Sequence, residues 1–326
     1  VAAALGDRCR RDEAIGSRTT YRVGGRAALF LDASDVDDLL AVAPALAETD
    51  VPVLVLGRGS NLLVSDGGFE GLVVTLSADA FARIETATAG DATDEAHRIR
   101  AGAAVPLPAL ARQSAAAGLT GLEWAVGVPG SVGGAVRMNA GGHGADTRAT
   151  LRWCRLIDLR RGQAETVAAE HLGLGYRCSA ITAHELVVDA EYQLAPGDRS
   201  ESEATIRDIV RWRREHQPGG QNAGSVFVNP LGDPPGNSAG WLVDAAGLKG
   251  YRHGSAVVSS KHANFILADP GGSADDVLAL MLEVQQLVSR RLGVTLRAEV
   301  RLVGFPEHLL STLRLDGHVA GPSGAP

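Results

Sequence analysis

Val51-Pro52-Val53-Leu54-Val55-Leu56-Gly57-Arg58-Gly59-Ser60-Asn61 is the stretch on which the fold turns: an apolar run that reads as a buried strand leads straight into a glycine turn. Glycine lets the backbone bend sharply and show consecutive N–H groups, which together make an anion nest suited to a pyrophosphate. A plain strand-exit turn would carry the same residues. The turn is not the GxGxxG dinucleotide fingerprint, because no helical pattern follows it. Upstream, Ser34-Asp35 can cap a helix with Val36, Leu39, Leu40, Ala43 and Leu46 at helical spacing. Downstream, Leu72-Val73-Val74-Thr75-Leu76 reads as a further strand. Residues 1–77 therefore read as a small unit of alternating strand and helix.

A second unit is expected over residues 78–199. Residues 86–96 are small, polar and unpatterned, as in an exposed loop. Strands are expected at 98–105, 151–159 and 185–194, with a helix over 106–118 that has proline near its start and glycine at its end. A third unit covers residues 200–309. It opens with a helix at 203–215 carrying Ile206, Ile209, Val210 and Arg213, and closes with one running from Ser273 to Gly293. In the closing helix Ser273 and Asp276 resemble a capping box, and Val277, Leu280, Met281, Val284, Leu287, Val288 and Leu292 form one stripe. A strand is read at 298–304, and the tail over 310–326 is expected to be disordered.

A chain of 326 residues with 45% hydrophobic and 21% charged residues has the make-up of an ordinary globular protein with a sizeable core. The net charge of −7 argues against broad affinity for nucleic acid, which needs clustered Lys and Arg. Arg207, Arg211, Arg213 and Arg214 do cluster, and read as a solvated helix face. Cys9, Cys154 and Cys178 are widely spaced and match no metal-ligand pattern, so reduced thiols and no metal are expected. No apolar run approaches a membrane span, and Val1-Ala2-Ala3-Ala4-Leu5-Gly6-Asp7-Arg8 does not resemble a signal peptide. A cytoplasmic protein without membrane insertion is expected.

A second glycine-rich segment runs Gly127-Val128-Pro129-Gly130-Ser131-Val132-Gly133-Gly134-Ala135-Val136-Arg137-Met138-Asn139-Ala140-Gly141-Gly142-His143-Gly144, with seven glycines in eighteen residues. A flexible linker would be polar between its glycines; here Val, Pro and Met intervene, which favours packing and close approach to a ligand. With the first turn it suggests a large phosphate-bearing cofactor. Two further segments carry reactive groups. Gly175-Tyr176-Arg177-Cys178-Ser179 offers a guanidinium that can hold a carboxylate through two hydrogen bonds, or make a surface ion pair. Asn222-Ala223-Gly224-Ser225-Val226-Phe227-Val228-Asn229-Pro230 puts a hydroxyl on a tight turn, without the GxSxG pattern of a serine nucleophile. Strand alternation in 298–304 would put Glu299 and Arg301 on one face. His262 and Asn264 would share a strand face, either as a solvated edge or in contact with phosphate or sugar.

The order of these motifs, from Thr19-Thr20-Tyr21-Arg22-Val23-Gly24-Gly25 to Gly304, resembles that of the UDP-N-acetylenolpyruvoylglucosamine reductase family. The resemblance implies an α+β protein with a two-part FAD-binding domain of the vanillyl-alcohol-oxidase/para-cresol-methylhydroxylase type, plus a C-terminal α/β substrate-binding domain. It implies UDP-N-acetylmuramate dehydrogenase activity in peptidoglycan synthesis: hydride passes from reduced flavin N5 to the methylene carbon of UDP-N-acetylglucosamine enolpyruvate, with NADPH as donor. By the same resemblance FAD, bound without a covalent link, would be held by residues 57–61 and by Gly127, Val128, Pro129, Gly130, Ser131, Gly133 and Gly134. Arg177 would be the catalytic arginine, Ser225 the proton donor and Glu299 the catalytic glutamate, while Tyr176, Asn229 and His262 would contact substrate. The chain looks like the shorter family form, which lacks the insertion bearing a covering tyrosine, and a monomer is expected. The alternatives are another non-covalent flavin oxidoreductase of this fold, or a nucleotide-sugar sensor that does not turn over.

Overall fold

The computed structural model describes residues 1–86, 97–230 and 238–313. The loop expected at 86–96 lies outside them except for Thr86, and the expected tail except for 310–313. The chain forms two compact units, each gathered from separated stretches: Val1–Arg11, Leu29–Arg58 and Gly71–Glu215 in one, and Asp12–Ala28, Gly59–Glu70 and His216–Pro326 in the other.

The first unit is built on a five-stranded antiparallel sheet in the order Gln163–Ala168, Leu151–Asp158, Glu185–Gln193, Arg98–Gly102, Ile84–Thr86. Period-two patterning gives that sheet its two faces: Ile99 and Ala101 are fully buried, while Arg100 points outward and pairs with Asp189. The helix Leu107–Ala116 covers the apolar face with Leu107, Leu110, Ala111 and Ala115. A parallel pair joins Val53–Val55 to residues 72–74 of the strand Phe69–Leu76, so the strand before the first glycine turn exists, though only half-buried. The helix expected over residues 36–46 is two helices, Val36–Leu40 and Ala43–Ala47. Asp35 caps the first by accepting from Asp38 N at 2.8 Å. Pro44 lies in the first turn of the second, where it has no N–H to give to Leu40 O and its ring would strike that carbonyl in a continuous helix. In the helix Arg199–His216, Ile206 and Ile209 are buried but Val210 is 42% exposed, so the core stripe is narrower than its spacing implied.

The second unit holds a three-stranded antiparallel sheet, Arg252–His253, Ala256–Val258 and Ile266–Ala268. The helix Ala274–Leu292 packs its buried Val277, Leu278, Leu280, Met281, Val284 and Val288 into the same core as Ala256, Val258 and Ile266. Leu292, in its last turn, is exposed. Half of the expected capping box is present. Ser273 Oγ accepts from Asp276 N, but the Asp276 carboxylate turns away to accept from Ser255 N and Oγ. Asp66 accepts from Ser273 Oγ and from the backbone N–H of Ala274 and Asp275 at the same helix start. The strand Leu62–Val64 pairs in parallel with Arg301–Val303. Leu310 and Leu313 are buried in this unit's core.

Candidate active site

In the first unit the two glycine segments meet. Arg58 Nε donates to Pro129 O at 3.0 Å, and a Cβ on Gly57 would lie 2.9 Å from Ser131 Oγ. The second segment is not a loop throughout: residues Val132–Met138 form a helix, seated by Val132 N on Val105 O and Gly133 N on Ala103 O. Small residues allow this approach, since a Cβ at Gly133 would come within 2.9 Å of Ala103 Cβ. Ser131 is buried and opens the helix, yet its side chain makes no cap hydrogen bond. Glycines packed this closely around a buried, uncapped hydroxyl suit the phosphate-bearing part of a cofactor.

The end of the same segment anchors the Tyr-Arg-Cys-Ser turn. Asn139 closes the helix in the left-handed conformation, φ 41°, and is 2% exposed. Its Nδ2 donates to Gly175 O at 2.8 Å and to Asp146 Oδ2 at 3.0 Å, and its Oδ1 accepts from Arg148 N at 2.9 Å. Ser179 Oγ donates to Arg137 O at 2.7 Å. Gly175 and Cys178 close the turn through reciprocal backbone hydrogen bonds, and Arg177 at its tip has φ 57°. The Arg177 guanidinium lies 5.2 Å from the centre of the Tyr176 ring and donates through Nη2 to Gly141 O at 2.9 Å. Five donors on a planar fork leave it able to hold a carboxylate as well. Tyr176 is 59% exposed. Nearby in sequence, His143 stands edge-on to Trp212, with centroids 5.2 Å apart. Burial lowers the pKa of His143, and the positive charge of Arg213 lowers it further. Arg213 is half-buried and its own pKa is lowered by burial, so it does not belong to a solvated helix face as its neighbours in sequence suggested.

In the second unit Gly59 has φ 60°, and a Cβ there would lie 2.6 Å from Thr19 Cα, so that glycine is required by the Thr19-Thr20-Tyr21 segment itself. Thr20 N and Oγ1 both donate to Gly59 O. Asn61 Nδ2 donates to Glu299 O at 3.2 Å, and Asn61 O accepts from Arg301 N at 3.0 Å. Ser225 follows Gly224, whose φ of 77° is the left-handed turn that glycine favours. The chain then runs beside residues 297–299: Val228 N donates to Arg297 O, Phe227 bridges Ala298, and Glu299 N donates to Val226 O at 2.8 Å. The segment that follows Ser225 is thereby joined by backbone to the one that carries Glu299, and the first glycine turn is tied to Glu299 through Asn61. Strand alternation does not set the Glu299 direction, because the regular strand begins only at Arg301.

Asn229 Oδ1 accepts from Ala239 N at 3.0 Å, at the start of the helix Ala239–Ala245. His262 and Asn264 are not on a strand. Ser259 Oγ accepts from Lys261 N and His262 N, which folds this segment into a turn ahead of Ile266–Ala268. His262 Nδ1 accepts from Asn264 N at 3.2 Å, which leaves the proton on Nε2 as a donor. Burial lowers the His262 pKa; a hydrogen bond to its backbone opposes this, and Lys249 adds a smaller lowering. Asn264 is buried, with both ends of its amide on Phe227. Its reading as a solvated or sugar-contacting group is overturned.

Motif reading named the reactive side chains but missed Asn139 and the use made of Asn264. Asn139 carried a local signal, an asparagine directly after a helical run, where the left-handed conformation is wanted. Asn264 carried none, since its partner lies 37 residues away.

Two family models match the chain: "FAD binding domain" over residues 27–168 and "UDP-N-acetylenolpyruvoylglucosamine reductase, C-terminal domain" over residues 216–303. The UDP-N-acetylenolpyruvoylglucosamine reductase of Rubrobacter xylanophilus is 40% identical over 297 residues, covering 90% of this chain and 95% of that one. That of Geobacter metallireducens is 40% identical over 308 residues, covering 93% and 97%. The crystal structure of the Thermus caldophilus reductase superposes with a TM-score of 0.75 at 33% identity, covering 91% of this chain and 99% of that one. The chain belongs to the UDP-N-acetylenolpyruvoylglucosamine reductase family.

Proposed function

We propose that this chain reduces UDP-N-acetylglucosamine enolpyruvate to UDP-N-acetylmuramate for peptidoglycan synthesis, drawing its electrons from NADPH. Family membership supports the reaction, and the backbone joint that holds Ser225, Glu299 and Asn61 together carries its assignment to these residues. Bound FAD, once reduced by NADPH, supplies the hydride that adds to the methylene carbon of the enolpyruvyl ether. Negative charge then builds on the neighbouring carbon and its carboxylate. Arg177 pairs with that carboxylate, and Glu299 in its acid form donates a hydrogen bond to it, so both stabilise charge as it forms. Ser225 gives its hydroxyl proton to the carbon. A hydroxyl is a weak acid, but a carbanion is a strong enough base to take the proton.

The buried Ser131 hydroxyl and the backbone around Gly57 fit the cofactor's phosphates, and we assign residues 57–61, 127–131, Gly133 and Gly134 to FAD binding. Asn229 and the Nε2 proton of His262 are assigned to the nucleotide diphosphate, with Tyr176 a further substrate contact. FAD binding is placed within residues 1–77 and 78–199, and substrate binding within 200–309. Among the described residues no helix is long and apolar enough to cross a membrane. A monomer working in the cytoplasm is the reading that suits the net charge of −7 and the widely spaced free cysteines. The test is anaerobic absorbance of the FAD-loaded protein. NADPH should bleach the visible flavin band, and UDP-N-acetylglucosamine enolpyruvate should restore it. Recovery only on admitting oxygen would point instead to another flavin oxidoreductase, and failure to take up FAD would end both readings.

A further inference from the structure

Residues 226–228 carry Ser225 at one end and lie beside Glu299, so whatever fixes their backbone fixes both groups. One edge is paired to residues 297–299. On the other edge a single side chain takes the place of a strand. Asn264 Oδ1 accepts from Phe227 N at 3.0 Å, and its Nδ2 donates to Phe227 O at 2.8 Å. The amide thus meets both backbone groups of one residue, as a neighbouring peptide would in an antiparallel pair. Its own backbone carbonyl takes a third bond, from Val226 N at 2.8 Å. Asn264 is 4% exposed, so water does not compete for these bonds. His262 Nδ1 holds Asn264 from behind through Asn264 N.

We infer that Asn264 is a positioning residue for the proton-delivery step: by clamping Phe227 against residues 297–299, it sets the place of the Ser225 hydroxyl and the Glu299 carboxyl together. The inference rests on the roles given above to Ser225 and Glu299. An apolar side chain of similar size leaves Phe227 N and O unpaired in a dry setting and frees the segment to shift. Hydride delivery and proton delivery need alignment within a fraction of an ångström, so the shift is felt in the chemical step before it is felt in binding.

The experiment separates the two half-reactions in the FAD-loaded enzyme by rapid mixing under anaerobic conditions, with wild type, Asn264→Leu, Asn264→Asp and Ser225→Ala. Asn264→Leu is expected to hold flavin and to be bleached by NADPH at the wild-type rate. Its reoxidation by saturating UDP-N-acetylglucosamine enolpyruvate should slow by roughly 100-fold, the order of loss expected of a 1 Å misplacement. The KM for that substrate should stay within about threefold, because ground-state contacts are kept, and the solvent deuterium isotope effect on reoxidation should grow. Asn264→Asp keeps the acceptor for Phe227 N and loses the donor to Phe227 O, so it should fall between wild type and Asn264→Leu. Wild-type reoxidation in Asn264→Leu overturns the inference. Should Asn264→Leu fail to fold, Asn264→Asp decides: slower reoxidation with unchanged bleaching supports positioning, while equal loss of both half-reactions, or of neither, overturns it. Ser225→Ala keeps the two readings apart. If it reoxidises normally, the role of Ser225 is wrong whatever Asn264 does; if it is slow while the Asn264 variants are normal, only the inference about Asn264 fails.

Discussion

Two buried asparagines hold the two reactive regions, and they do it differently. Asn264 holds a bridged segment: both ends of its amide go to one residue, Phe227, and the far edge of that segment is already paired. Asn139 holds a loop. It gives one bond to Gly175 O and spends the other two within its own neighbourhood, on Asp146 and Arg148 N. The Ser225 region is therefore fixed from two sides, whereas Arg177 sits at the tip of a turn, in a left-handed conformation that an arginine adopts at a cost. A proton donor must lie within hydrogen-bond reach of one carbon, so a segment bonded along both edges suits it. A long guanidinium that meets a carboxylate can take up small backbone errors along its own side chain.

The largest effects should come from breaking the Arg177 turn at its tip. Arg177→Ala and Arg177→Gly both remove the guanidinium, and each should lower turnover by roughly 10³-fold, as removal of one charge-stabilising donor does, with flavin retained. The two should differ in stability. Glycine relieves the left-handed strain and alanine does not, so Arg177→Gly should be the more stable of the pair by about 1 kcal/mol. Steady-state kinetics and thermal melts check both points, and equal melting temperatures would mean that the turn carries no strain.

Next in size are changes at Asn139, which test whether the loop asparagine differs in kind from the strand asparagine. Asn139→Gly keeps the left-handed conformation and removes three hydrogen bonds; Asn139→Ala also adds backbone strain, and should cost about 1 kcal/mol more. If the loop tolerates error, Asn139→Gly should raise KM for the enolpyruvyl substrate by about tenfold and leave kcat within about threefold, the signature of lost ground-state binding. Asn264→Leu is expected to show the opposite split. Matching splits would erase the distinction between a flexible arm and a laddered donor.

These differences mark where the sequence could be read and where it could not. The closing helix was legible because its signals are local: Ser273 at the cap, a stripe of apolar residues at helical spacing and Gly293 in the left-handed conformation at the end. Leu292 has the spacing of the stripe but is the helix's last residue, directly before the left-handed Gly293, and is exposed. Pro44 was visible in the sequence, and its veto on a continuous helix is equally local. Ser225 and Arg177 stood out because glycine turns and order along the chain mark them. Asn264 did not: it looks like any polar residue before a strand, and its partner Phe227 is set only by the tertiary fold. Glu299 was placed on strand alternation, but it lies ahead of the regular strand, its backbone held by Val226 O and by the Asn61 side chain.

The smallest effect concerns pH, and each region carries one histidine that reports on it. His143 follows the loop asparagine by four residues, and His262 sits against the strand asparagine through Nδ1. Burial is the main cause that holds both below the ordinary imidazole value of 6.5. Well above 6.5 both are neutral folded or unfolded and cost nothing. As pH falls below that value the unfolded chain takes up protons first, so stability should decline towards the lower folded pKa values. Glu123 works in the same direction, since bonds from Ser202, Thr120 and Gly121 outweigh the effect of burial, but its window lies below 4.5 and does not overlap. Thermal melts between roughly pH 7.5 and 5.5 should therefore show a modest fall in Tm on acidification. His262→Asn, which can still accept from Asn264 N, should flatten that fall. Salt separates burial from charge: Arg213 contributes to the lowering at His143 and Lys249 to that at His262, and added salt screens both charges but leaves burial untouched. In the His262→Asn and His143→Gln backgrounds alike the remaining slope should largely persist as salt is raised, because burial dominates at both rings and only the smaller parts due to Arg213 and Lys249 are screened. A slope that vanishes with salt in both backgrounds would mean that charge, not burial, holds both rings neutral.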